Sequence, residues 1–280
     1  MAKNSTKDRA GFRCTECGWD SLRWVGRCGE CQTWGSVSEV GAPSAASMKA
    51  GAVTTAAVPI TSVDLREAVS TPSGMSELDR VLGGGLVAGA VILIAGEPGV
   101  GKSTLLLEVA ARTAENGPVL YVTGEESASQ VRMRAQRVGA MHDHLMLAAE
   151  TDLGAVLTHI DQVQPRLVVV DSIQTISAAG TDGAPGGVSQ VREVAGVLIR
   201  AAKQRGVTMI LVGHVTKDGN VAGPRTLEHL VDVVVNVEGD RHARLRLVRA
   251  HKNRFGPADE VGCFELTDEG IKELTDPSEL

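Results

Sequence analysis

The stretch that most constrains this chain is AVILIAGEPGVGKSTLLLEVAART, residues 90–113. An unbroken apolar run reads as a buried strand, the glycines after it permit a tight turn, and the pattern that follows reads as an amphipathic helix. Gly96, Gly101, Lys102 and Ser103 fit the spacing G-x-x-x-x-G-K-[ST]. In such a loop, successive backbone N–H groups and the helix N-terminus cradle phosphates. Lys102 would then reach the β- and γ-phosphates, and Ser103 would ligate Mg²⁺. The expected nucleotide site is therefore Gly96, Glu97, Pro98, Gly99, Val100, Gly101, Lys102, Ser103 and Thr104.

A phosphate loop of this kind needs an acid at the end of another buried strand to hold the magnesium. PRLVVVDSIQT supplies Asp171 after four apolar residues; a helix-capping aspartate is the plainer alternative. Alternating strand and helix patterns continue through PVLYVTGEESASQVRMRAQRV, GGVSQVREVAGVLIRAAKQRG and VTMILVGHVTKDG. They predict an α/β fold, a mostly parallel sheet with helices on both faces and functional residues at the strand C-termini. The strand VLYVT ends in Gly124-Glu125-Glu126, expected beside the phosphate strand, and one of the two carboxylates is the candidate base. His214 closes MILVGH in the same manner, as a γ-phosphate sensor or as a satisfied polar loop residue.

Composition decides how the cysteines are read. Net charge −6 and pI near 5.7 argue against a wholesale nucleic-acid coat, so any nucleic-acid contact must come from a local patch. The opening MAKNSTKDRAGF is polar, and no apolar run approaches the roughly 20 residues that span a bilayer. The expected location is the cytoplasm, with no membrane partner. Disulfides are rare there, yet four of five Cys crowd together as Cys14-x-x-Cys17 and Cys28-x-x-Cys31. Two such pairs point four thiolates at one ion, which predicts structural Zn²⁺ with no open position for catalysis. Without metal the module has too few apolar residues to fold. All three Trp (Trp19, Trp24, Trp34) lie here, to pack on the knuckles or to stack on bases or a partner. Cys263, alone in an apolar stretch, reads as a core residue.

Near the other end, RHARLRLVRAHKNRFG (residues 241–256) contains no acid. Alternation in ARLRLVRAH predicts a strand with Leu245, Leu247 and Val248 inward and Arg244, Arg246 and Arg249 outward. Its terminal Lys252 and Arg254 admit three readings: a solvated basic turn, a contact with DNA phosphates, or a charge supplied across a subunit interface to a neighbour's ATP.

Taken together, LDRVLGGGLVAGAVILIAGEPGVGKST, YVTGEES, VVVDSIQT, LVGHVTKDGNVAGPRTLEHLVD and HKNRFG, behind a four-Cys finger, resemble the bacterial RadA (Sms) DNA-repair ATPases over nearly the whole chain. The Lon-protease-like domain that usually follows in that family is absent from the segment. The resemblance implies a RecA-like ATPase of homologous recombination that processes branched intermediates. Its expected ligands are ATP, Mg²⁺ and Zn²⁺. Its expected partners are single-stranded or branched DNA, further copies in a hexameric ring, and recombinase or replication proteins at the finger. It puts Glu125 at the catalytic-glutamate position and His214 where γ-phosphate is coupled to a DNA loop. Lys217 and Arg225 are that loop's cations, and Lys252 and Arg254 join Glu125, Lys102 and His214 as catalytic candidates. The expected organisation is a finger over 1–36, a linker over 37–58 and a RecA-like domain over 59–280. An ATP-switched scaffold whose finger docks a partner is the alternative function.

Overall fold

A computed structural model describes residues 11–39, 56–65, 69–214, 223–240 and 243–275. The chain divides into two compact units, Met1–Ser62 and Val63–Leu280. In the first, β1 (Phe12–Cys14) pairs antiparallel with β2 (Asp20–Ser21) and β3 (Val37–Glu39). Strand β3 carries the finger's sheet to Glu39, past the boundary expected after residue 36. Most of the expected linker lies outside the described residues.

The second unit opens with a small β4 (Ser70–Thr71) and β5 (Leu86–Val87) pair around helix α1 (Ser76–Leu82). Then come β6 (Val91–Gly96), α2 (Lys102–Ala114), β7 (Val119–Thr123), α3 (Ala128–Arg137), β8 (Leu145–Ala149), α4 (Leu153–Val163), β9 (Leu167–Asp171), α5 (Val188–Arg205) and β10 (Thr208–His214). Last are β11 (Val233–Glu238), β12 (Leu245–Asn253), β13 (Val261–Thr267) and β14 (Gly270–Glu273). They form one sheet in the order β14-β13-β12-β11-β6-β10-β9-β7-β8. The run from β11 to β8 is parallel, and β12 to β14 return antiparallel along the edge.

The strands are continuous apolar runs because both faces are covered. One face (Ile92, Ile94, Tyr121, Val169, Val212, Val235) packs on α1, α2 and α3. The other (Val91, Leu93, Val122, Val170, Leu211, Val234) packs on α4 and α5.

Two expectations are corrected. Strand β7 does not flank the phosphate strand: β10 and β11 flank β6, with β10 and β9 between it and β7. The inward face of β12 is also corrected in part: Val248 is buried and Arg244 exposed as expected, but Arg246 and Ala250 are buried beside Val248 while Leu245 and Leu247 are only half-buried. The reason lies in what covers each face. The α1–α3 layer extends over β12 to Phe264 and Ile271, whereas the α4–α5 layer stops at Val234. Among the described residues Arg246 goes inward because backbone carbonyls satisfy its guanidinium. Cys263 is half-buried rather than deep in the core.

Candidate nucleotide site and four-cysteine centre

The phosphate loop leaves the C-terminal end of β6 and enters α2 through Gly101, whose φ of +103° favours glycine. Gly96 is required for a different reason. A Cβ there would stand 2.5 Å from the Val237 carbonyl oxygen of the neighbouring strand. Gly99 (φ +83°) has open space on its Cβ side, and Glu97, Pro98 and Gly99 are exposed. Lys102 is buried, and its Nζ donates to the carbonyls of Gly96 (2.9 Å) and Glu97 (3.0 Å), so the amine lies over the loop. Burial lowers its pKa, and the nearby Asp171 and Glu125 carboxylates oppose that. Ser103 and Thr104, in the first turn of α2, are half-buried. An open cradle of glycine amides with one cation over it fits a polyphosphate.

Three further strand ends converge beside it. His214 ends β10 in register with Gly96. Asp171 ends β9, buried, with Oδ2 accepting from the Tyr121 hydroxyl at 2.7 Å. Glu125 follows β7 and bridges back to β9, its Oε1 accepting from Ser172 Oγ at 2.6 Å. Gly124 makes this bend possible, since a Cβ would fall 2.0 Å from Thr175 Oγ1. His214 Nε2 lies 3.0 Å from Glu125 Oε1. The two approach without hydrogen-bond alignment, and both imidazole nitrogens are buried with no hydrogen-bond partner among the described residues. His214, Ser172 and Lys102 together hold the Glu125 carboxyl down to about 2, against its desolvation. Glu126 turns the other way and pairs with Arg134. Of the two acids, the geometry thus brings Glu125 to the loop.

Lys252 and Arg254 do not join this group. Lys252 pairs with Val234 and Asn253 with Val233, residues that stand opposite Leu93 and Ile92 of β6, while the loop begins at Gly96. At about 3.3 Å per residue, the backbone of both residues stands about 10 Å or further along the sheet from the chain's own phosphate loop. Lys252 Nζ donates to the carbonyls of Glu228 (2.9 Å) and Val231 (2.7 Å). Its pKa is lowered by burial and then by Arg254. Arg254 pairs at 2.9 Å with buried Asp232, which also accepts from Lys203 Nζ (3.1 Å) and the Val91 amide (3.0 Å). Asn253 donates to the Val81 carbonyl and accepts from the Phe255 amide. A Cβ on Gly256 would sit 2.8 Å from the Cα of Gly83, at the C-cap of α1. Arg225 is exposed in a short turn (Pro224–Thr226), and Lys217 lies outside the described residues.

In the finger, the Sγ atoms of Cys14, Cys17, Cys28 and Cys31 lie within 4.8 Å of one another. Cys14–Cys31 and Cys17–Cys28 are each separated by 3.6 Å. Tetrahedral Zn²⁺ with bonds of about 2.3 Å requires sulfurs about 3.8 Å apart, so the donor set fits. The Glu30 amide donates to Cys28 Sγ at 3.4 Å, as Gly29 in a tight knuckle allows. Trp19 packs against that glycine, whereas Trp24 and Trp34 are exposed.

Sequence reasoning missed Ser172, Tyr121, Asp232 and the inward Arg246. The serine directly after Asp171 was a readable cue. The others announce themselves only through contacts across strands.

These features define a RecA-like phosphate-loop domain accompanied by a four-cysteine metal ribbon. The chain belongs to the AAA domain family, whose model matches residues 61–220, and a rubredoxin metal binding domain matches residues 12–39. Over 98% of its length it is 57% identical to the DNA repair protein RadA of Mycolicibacterium smegmatis, of which it covers 61%. It is 56% identical to DNA repair protein RadA of Mycobacterium tuberculosis over 97% of the chain and 58% of that protein. The Escherichia coli protein of the same name is 45% identical over 97% of the chain and 61% of its own length. The resemblance to the RadA family therefore extends along nearly the whole segment, which spans about three fifths of these relatives. Among the described residues no helix is long and apolar enough to cross a membrane.

Proposed function

We propose that the chain is the ATP-hydrolysing part of a cytoplasmic DNA-repair motor that acts on branched or single-stranded DNA as a ring of identical subunits. The observation that carries this reading is the convergence of Lys102, Asp171, Glu125 and His214 on one phosphate cradle. Gly96 to Thr104 bind the triphosphate of ATP, and Lys102 turns from its two loop carbonyls to the β- and γ-phosphates. Mg²⁺, held by Ser103 and Asp171, would neutralise charge on those phosphates. Glu125, kept ionised by His214 and Ser172, accepts a hydrogen bond from the attacking water and so orients it. His214, whose ring nitrogens have no aligned hydrogen-bond partner among the described residues, reports the γ-phosphate to Lys217 and Arg225, the cations assigned to DNA contact. A cavity of about 430 Å³ lined by Arg244, Leu266 and Asp268, among others, adjoins the loop through the Leu266–Gly101 contact and suits the nucleoside.

Since Lys252 and Arg254 stand away from their own loop, the role proposed for them is in trans, on a neighbour's nucleotide or on DNA. The finger carries a structural Zn²⁺, and the proposed division is finger, linker and ATPase domain. Exposed Trp24 and Trp34 favour a second reading, in which an ATP-switched scaffold docks a protein through the finger.

Turnover of ATP by the zinc-loaded chain, with and without single-stranded DNA, separates the two. Stimulation is expected, and a rate indifferent to DNA removes the motor. Mixing Arg254→Ala with Lys102→Ala subunits should restore part of the turnover; simple dilution of activity excludes a shared site.

A further inference from the structure

Arg246 is the largest fully buried side chain among the described residues, at 2% exposure. A buried cation is costly unless its donors are met. Here Nη1 donates to the carbonyls of Ala243 (2.7 Å), Leu245 (2.9 Å) and Asp240 (3.1 Å), all in the β11–β12 connection or at the start of β12. Nε points the other way and donates at 2.7 Å to the carbonyl of Val100, inside the phosphate loop. Gly239 makes room, because a Cβ there would stand 2.7 Å from Arg246 Cδ.

We propose that Arg246 is a positioning residue that aims the phosphate loop. A trans peptide keeps C=O and N–H on opposite sides of one rigid plane. Holding the Val100 oxygen therefore fixes the direction of the Gly101 N–H, the last loop amide before α2. Val100 lies between Gly99 and Gly101, both at positive φ. Glycines move between backbone wells with little penalty, so this peptide needs an outside restraint to hold one orientation. The guanidinium supplies it because it is planar and always charged, and it can grip two segments at once from fixed N–H directions. Lysine in its place keeps the charge but presents a single nitrogen. Rigidity of the cradle is thereby coupled to the hairpin whose far end carries Lys252 and Arg254.

The assignment rests on the loop being a nucleotide site, and its test separates the two claims. Hydrogen–deuterium exchange of the loop peptide 96–104 is measured on the full chain without nucleotide, together with the melting temperature and the affinity for ADP. Arg246→Lys and, independently, Gly239→Ala should raise loop exchange while β6 and β10 remain protected. ADP affinity should weaken roughly tenfold, the scale of one lost hydrogen bond to a charged group. Unchanged loop exchange and affinity in Arg246→Lys overturn the assignment. So does exchange that rises equally through the sheet with a falling melting temperature, the mark of a merely structural arginine. An unsubstituted chain that fails to bind ADP overturns the nucleotide reading instead.

Discussion

The two ends of the parallel sheet hold similar residues in opposite conditions. At the C-terminal end of β6, the Gly99 side of the loop is open, and the half-buried His214 keeps two buried ring nitrogens with no aligned hydrogen-bond partner among the described residues, though Nε2 stands 3.0 Å from Glu125. At the N-terminal end, Asp232 accepts from Arg254, Lys203 and the Val91 amide, and Lys252 is held by two carbonyls. Buried polar groups left short of partners are costly and persist where a ligand completes them; saturated ones hold chain segments together. The first end is built to receive a ligand and the second to lock β11, β12 and α5 to one another. That difference also bears on HKNRFG. Its Lys, Asn, Arg and Gly are all engaged within the chain, so a role on DNA or a neighbour must draw Lys252 or Arg254 out of contacts they already make.

The sharpest test of the contrast is Lys102→Ala. It should abolish ADP binding by calorimetry while leaving the melting temperature nearly unchanged, because the amine is desolvated over a loop built for anions. Retained affinity would break the assignment of the open end. Next, Glu125→Gln should lower turnover by about 10²- to 10⁴-fold with ADP affinity preserved, the range for losing a positioned acid–base group. At the saturated end the currency is stability. Asp232→Asn leaves Lys203 and Arg254 without their anion and should cost about 2 kcal/mol in urea unfolding, towards the low end for charged hydrogen bonds since both partners are half-exposed. A variant with wild-type stability and impaired turnover would reverse the roles of the two ends. The smallest effect concerns pH. The folded pKa of Glu125, about 2, lies below its ordinary 4.5, so its contacts with His214 and Ser172 stabilise fully above about 4.5 and lose that effect as pH falls towards 2. The melting-temperature gap between the unsubstituted chain and Glu125→Gln should accordingly be constant from pH 7 to 5 and shrink below 4.5.

Legibility in the sequence followed the range of the interaction. The loop, the strand ends at Asp171 and His214, and the paired cysteines are local patterns whose chemistry depends on spacing alone, and each stands where that spacing put it. The neighbours of β6, the choice of Glu125 over Glu126, and the face of Arg246 were misread or left open. Each depends on a partner far along the chain: β10 beside β6, Arg134 drawing Glu126 aside, and Val100 receiving Arg246. In ARLRLVRAH, alternation marked a strand correctly and left Arg244 exposed as expected, but it put Arg246 on the wet side by polarity alone.

By itself, then, the sequence determined that this chain has a phosphate loop on a parallel sheet and a four-cysteine centre, since glycine spacing and thiolate pairs leave few other folds. Tertiary structure decided which groups stay unsatisfied at the loop and which are locked at the far edge. A hydrogen bond's partner is set by strand order and by which layer covers a face, and neither is written in a single strand's residues.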